Sequence, residues 1–309
     1  MLVCYQGIDT PYCWTYHDRG GWLMAWLDGD RTNQPMMLYP AFHEDRAKTI
    51  IGGRTIPANQ GGAKDLKDTL DALANHPNTG PFISRQLIQR LVTSNPSPGY
   101  IYRVSQVWAN NGSGVRGDLG AVVRAILMDN EARSNEVAAT AAFGKLKEPL
   151  LRATAIFRAF NGGANNNRFT IANAEGSLAQ APLRAPTVFN FFEPNFVQAG
   201  LLANAGLYAP EYQIITDTTA ISMPNQLWNY IYATRSGMPG TTSVFNPAEA
   251  TVGVLFDSTI LALARTPQAL VDYANLVLAA GSLPKVVTDR FVTAITAMPA
   301  GTAATVAVR

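Results

Sequence analysis

In "AKDLKDTLDALANHP", residues 63–77, Leu66, Leu70 and Leu73 recur at the four-then-three spacing of one helix face, with Lys64, Lys67, Asp68 and Asp71 elsewhere on the surface. Pro77 disfavours a helical conformation at His76 and ends the run. The pattern repeats in "NTGPFISRQLIQRLVTSNP", where Ile83, Leu87 and Leu91 share a face, and in "PGYIYRVSQVWANNG". "GDLGAVVRAILMDNEAR" carries Leu119, Val122, Val123 and Ile126 at the same spacing, and "KEPLLRATAIFRAF" places Pro149 in a first turn, where its missing N–H had no partner. Several helices joined by short Asn, Gly and Pro turns make residues 63–160 a helical unit.

The expected fold class is therefore all-α, a multi-helix array with an irregular N-terminal segment. Residues 1–62 show no helical period and read as loops with one short amphipathic piece around Trp22 to Leu27. Residues 161–309 read as a second helical unit, set off by "NGGANNNRF". Within it "LRAPTVFNFFEPNF", residues 183–196, concentrates four phenylalanines and predicts an extended aromatic strap packed on something else. "TPQALVDYANLVLAAG" and "PKVVTDRFVTAI" look helical again, and "GTAATVAVR" resembles the opening of a helix that continues past Arg309.

Composition excludes several functions. Hydrophobic residues make up 47 % of the 309 and charged residues 15 %, enough apolar material for a core and too much for disorder. Lys plus Arg number 24 against 22 for Asp plus Glu, so no global field exists to gather nucleic acid. No apolar run approaches the roughly 18 residues of a membrane span. The start "MLVCYQGIDTPYCW" lacks the basic and apolar stretches of a secretory signal, which leaves localisation open. Cys4 and Cys13 are too far apart for a CxxC motif, and no second pair completes a zinc site. They read as two ordinary thiols, or as one disulfide if the protein is exported.

Imidazole can come only from His17, His43 and His76. His17 lies in a loop beside Asp18, and His76 at a helix end, where a cation interacts favourably with the terminal carbonyls. His43 has more around it: "YPAFHEDRAKTI" adds Glu44, Asp45, Arg46 and Lys48. Imidazole with carboxylate can hold a divalent ion such as calcium or zinc, or polarise a water for attack on a carbonyl. Adjacent residues rarely aim at one point, so partners are expected from Asp18, Asp28, Asp30 or His76; a structural hydrogen-bond network is the competing reading. Arg85 and Arg90, with Gln86 and Gln89, can hold a carboxylate or another helix. There is no GxSxG elbow, P-loop or HExxH, and the single S-x-x-K, Ser282 to Lys285, has a proline inside it.

"YPAFHEDRAKTIIGG", "DLKDTLDALANHPNTGPFISRQLIQRLVTSNPSPGYIYRVSQVW", "RGDLGAVVRAILMDNEAR", "GKLKEPLLRATAIFRAF" and "LRAPTVFNFFEP" follow one another in this chain. In that order they resemble the C-terminal half of the bacterial family called domain of unknown function 1800. The resemblance is dense from about residue 36 to 196 and looser beyond. It implies a helical protein, longer than this chain in most members and often exported. The family's shared positions fall on His43, His76, Arg85, Arg90, Lys145, Lys147, Glu148 and Pro149, with no catalytic assignment attached. Family members also carry a helical N-terminal half with a segment resembling N-E-N-Y-A-R-E. Nothing like it precedes residue 36, so the expectation is a chain lacking that half and shortened at its end.

Two functions follow from the residues. One is a metal-assisted hydrolase of small esters or lactones, with His43, Glu44 and Asp45 as catalytic groups, Asp18, His43 and Asp45 as metal ligands, and His76, Arg85 and Arg90 binding the substrate. The other is a non-catalytic exported binding or assembly protein, with His43 in a turn network and helical faces serving a partner.

Overall fold

The structure, a computed structural model, describes residues 38–163, 171, 174–232, 253, 254 and 256–298, together with the backbone of strands at 2–6, 11–16 and 22–25. The protein is predominantly α-helical, with thirteen α-helices among the described residues, as the periodicity predicts. It divides into two compact units, residues 1–79 and 80–309.

The first unit opens with three short antiparallel strands, β1 (Leu2–Gln6), β2 (Pro11–Tyr16) and β3 (Trp22–Ala25), in which Cys4 pairs across from Cys13. The sequence reading expected loops here and an amphipathic piece at Trp22–Leu27. The aromatic and β-branched content of "LVCYQ" and "PYCWTY" favours strands, but runs of four to six residues are too short to show a decisive period. A second hairpin pairs β4 (Lys48–Thr49) with β5 (Thr55–Ile56). Its turn closes through Ile50 N–H to Arg54 O at 2.9 Å, and Gly52 and Gly53 supply the positive φ angles of 73° and 70° that the reversal needs. Then comes α1 (Gly62–Asn75).

The second unit holds three cores. Helices α2 (Thr79–Leu91), α3 (Pro98–Ala109) and α4 (Leu119–Met128) enclose Ile88, Tyr100, Val104, Trp108, Val122 and Ile126. Each buried side chain of this size contributes about 2–3 kcal/mol. Ser97 caps α3 by accepting from Tyr100 N–H at 3.1 Å, and Asp118 caps α4 through Ala121 N–H at 3.0 Å. On α2 the innermost positions are Ser84, Ile88 and Gln89, while the predicted stripe of Ile83 and Leu87 flanks the core half-buried and Leu91 is exposed.

After α5 (Asn130–Arg133) and α6 (Asn135–Ala138) comes α7 (Pro149–Ala159), which faces two ways. Its Ala153 packs with Leu178 of α8 (Ala174–Leu178) and with Met223 and Tyr230 of α10 (Asp217–Tyr232). Its Ile156, with Phe160, packs on Val254 and on Ile260 of α11 (Ser258–Leu263). The predicted strap, 183–196, is non-helical and precedes α9 (Leu201–Asn204); it buries Phe192 and leaves Val188 and Phe189 exposed. Helices α12 (Pro267–Ala279) and α13 (Lys285–Thr296) pack on each other. Among the described residues no helix is long and apolar enough to cross a membrane.

Candidate functional site

His43 closes a 3-10 turn over Pro40–Phe42, with its own N–H bonded to Pro40 O at 3.1 Å. That turn directs the imidazole to the first turn of α1, where Nε2 lies 3.0 Å from Asp65 Oδ2. Lys48 reaches the same oxygen, Nζ to Oδ2 at 2.6 Å, and also donates to Glu44 O. The hairpin explains the reach. Lys48 pairs with buried Ile56, so both point inward, while their neighbours Thr49 and Thr55 point out. Asn59 N–H, 2.7 Å from Asp45 O, pins the loop that returns to α1.

Asp65 is buried, and Lys48 above all holds its carboxyl below the usual carboxylate range, against the opposing effect of burial. Its place in the first turn of α1 also favours the anion. An ionised Asp65 accepts from His43 Nε2–H, which leaves Nδ1 as the basic nitrogen of the neutral ring. Nδ1 faces Gly62: a Cβ there would stand 3.0 Å from it and 2.9 Å from Leu38 Cδ2. Glycine is needed at this position for the ring to lie so close to the helix start. Asp65 Oδ1 is buried without a hydrogen-bond partner.

The other predicted residues go elsewhere. Glu44 turns to solvent and pairs with Arg46, Oε1 to Nε and Oε2 to Nη2 at 3.0 Å each, which lowers its pKa. Asp45 is exposed. His76 caps the far end of α1, about 16 Å from Asp65 at 1.5 Å per residue. Its Nδ1 accepts from Asn78 N–H at 3.2 Å, so it serves the turn. His17, Asp18, Asp28 and Asp30 lie outside the described residues. Thus His43 is joined by Asp65 and Lys48, and not by Glu44, Asp45 or His76. Asp65 gives no warning in the sequence, since its acid sits among the solvated charges of α1 and its partners are 22 and 17 residues away.

For a divalent ion the described residues offer His43 and Asp65, and no group of three His, Cys, Asp or Glu side chains gathers among them. Lys48 already occupies the cationic position on Oδ2, so an ion would have to use Oδ1.

In the second unit, Arg85 and Arg90 each lie over an aromatic ring, Arg85 4.9 Å from the centre of Tyr208 and Arg90 4.1 Å from that of Phe192. The segment beneath them is tied down by Gln89, which donates to Ser94 O and Pro194 O, and by Asn95, which exchanges two hydrogen bonds with the backbone of Tyr208. Lys145 donates to Arg90 O at 2.9 Å and stands 2.9 Å from Glu211, which is 1 % exposed. Lys147 donates to Leu278 O. Glu148 precedes Pro149 at the start of α7 but does not cap it; Gln180 takes that role, its Oε1 accepting from Leu150 N–H while its Nε2 donates to Glu148 at 2.6 Å.

No curated protein and no solved structure matches the chain. One family model does, over residues 14–307, so the likeness covers nearly the whole chain and is not confined to a C-terminal half beginning near residue 36. The ordered segments around His43, Arg85, Arg90 and Lys145 all fall within that match, and the chain belongs to the family described as "Protein of unknown function (DUF1800)".

Proposed function

We propose that the protein is a hydrolase of small neutral esters or lactones in which His43 is the general base. The observation that supports this reading is the His43–Asp65 contact: an imidazole held by a buried carboxylate that Lys48 keeps charged. Such a ring takes a proton from water at Nδ1 as the water oxygen bonds to the ester carbonyl carbon. It returns that proton to the departing alkoxide as the C–O bond breaks, giving an acid and an alcohol. Asp65 orients the ring and offsets its transient positive charge. A divalent cation, calcium or zinc, would assist by polarising the carbonyl, with Asp65 Oδ1 and Asp18, which lies outside the described residues, as its oxygen donors.

The test is turnover of chromogenic esters and lactones by the purified chain, with and without chelator. His43→Ala lowers the rate about 10²- to 10⁴-fold, the usual contribution of a positioned base, and Asp65→Asn lowers it too. A wild-type chain inactive on the whole panel, or a folded His43→Ala chain with an unchanged rate, sinks the proposal. A second reading, a non-catalytic exported binding or assembly protein, is favoured by Leu66, Leu70 and Leu73, which stand 60 %, 55 % and 44 % exposed on one face of α1.

A further inference from the structure

A small cleft in the second unit is lined by Gln86, Gln89, Arg90, Phe192, Pro210 and Glu211, among others. It measures about 230 Å³ including its open mouth, and its enclosed part is the size of one water. Three observations bear on what it takes. The Arg90 guanidinium lies over Phe192, 4.1 Å from the ring centre, and among the described residues its side chain makes one long hydrogen bond, 3.5 Å, to Phe192 O and pairs with no carboxylate. Gln89, 4 % exposed, has its Oε1 buried without a partner. Glu211 Oε1 is held in an ion pair by Lys145 Nζ at 2.9 Å.

Together these features describe a ligand. Glu211 is ion-paired with Lys145, and among the described residues Arg90 has no carboxylate of its own, so the local charge calls for an anion. The planar guanidinium at the mouth suits a carboxylate in bidentate contact. The unpaired Gln89 Oε1 on the floor calls for a donor of water size, because a buried acceptor without a partner costs about 1–3 kcal/mol. A hydroxyl fits better than an ammonium, which Lys145 would repel. We infer that the cleft binds a short hydroxycarboxylate, its carboxylate on Arg90 and its hydroxyl donating to Gln89 Oε1. The inference does not depend on hydrolysis at His43, because its readout is binding.

Isothermal titration of the full chain with glycolate, lactate and 3-hydroxybutyrate tests it, against acetate, propionate, butyrate, glycine and inorganic phosphate. The hydroxy acids bind, and the matching plain acids bind about tenfold more weakly, the loss expected when a buried acceptor stays unpaired. Arg90→Lys weakens both series alike. Gln89→Met brings a hydroxy acid down to the level of its plain counterpart, with thermal melts confirming that each variant is folded. The assignment is overturned if the wild-type chain binds no hydroxy acid at millimolar concentration, if glycine or phosphate binds as tightly, or if Arg90→Lys changes nothing.

Discussion

His43 and Asp65, 22 residues apart in the chain, meet at 3.0 Å because a 3-10 turn and the first turn of α1 face each other across Gly62. The glycine gives a prediction whose sign is informative. In an open helix start, Gly62→Ala would stabilise by up to about 1 kcal/mol through helix propensity. Here the new methyl meets the ring at 3.0 Å, and although the tip of Leu38 can give way, the imidazole tied to Asp65 has to move by a few tenths of an ångström against its hydrogen bond. Gly62→Ala is expected to lower the melting temperature and shift the His43 ring resonances; a stabilised variant with unmoved resonances would contradict this packing.

Acid should weaken the fold. Lys48 lowers the Asp65 pKa, Arg103 lowers that of Asp129 through bonds of 2.7 Å from Nε and Nη2, and the Ala121 N–H lowers that of Asp118. A carboxyl with a folded pKa below its unfolded value contributes stability above the unfolded value, about pH 4, and loses it as pH falls through the folded value. Urea midpoints should therefore hold steady from pH 7 to about 5 and drop below about 4, with a shallower drop in Asp129→Asn.

Lys145 and Glu211 form a buried pair, 14 % and 1 % exposed at their side chains. Removing one partner strands the other's charge, so Lys145→Met is expected to cost about 3–5 kcal/mol. Denaturant unfolding of Lys145→Met beside the double variant Lys145→Met, Glu211→Gln checks this. The double variant should recover part of the loss.

Tyr100 is fully buried and donates to Ile126 O at 2.6 Å, tying α3 to α4. Burial pushes its phenol pKa well up, which keeps the hydroxyl a donor at neutral pH. Tyr100→Phe keeps the ring and loses one hydrogen bond, for an expected cost of about 1–2 kcal/mol in chemical denaturation.

Leu70, 55 % exposed, gives a contrasting case. Leu70→Lys should change stability by no more than about 0.5 kcal/mol, as for an open surface position. A larger loss would mean that this face of α1 is covered in solution.

Much of the helical fold was legible. Leucine spacing located α1, and Val122 and Ile126, read as part of one helix face, are fully buried on α4. What the period could not show was which face turns inward: on α1 the leucines are exposed and Gly62 and Asp65 are buried, because a carboxylate paired by Lys48 and His43 can occupy an inner position. The site was half legible. His43 stood out as a rare imidazole among acids, but its neighbours Glu44 and Asp45 point away, while Asp65 and Lys48 arrive through a hairpin and a helix that only folding brings together. Arg85 and Arg90 were read as holders of a carboxylate or a helix; their stacking on Tyr208 and Phe192 required a segment more than a hundred residues away.

The double service of α7 has a consequence for unfolding. Ala153 on one side and Ile156 on the other bind the same rod into two separate cores. Neither core can open by itself without stripping a wall from its neighbour, so amide exchange along both should slow to a common rate. A cut or kink in this one helix would dissolve both cores at once.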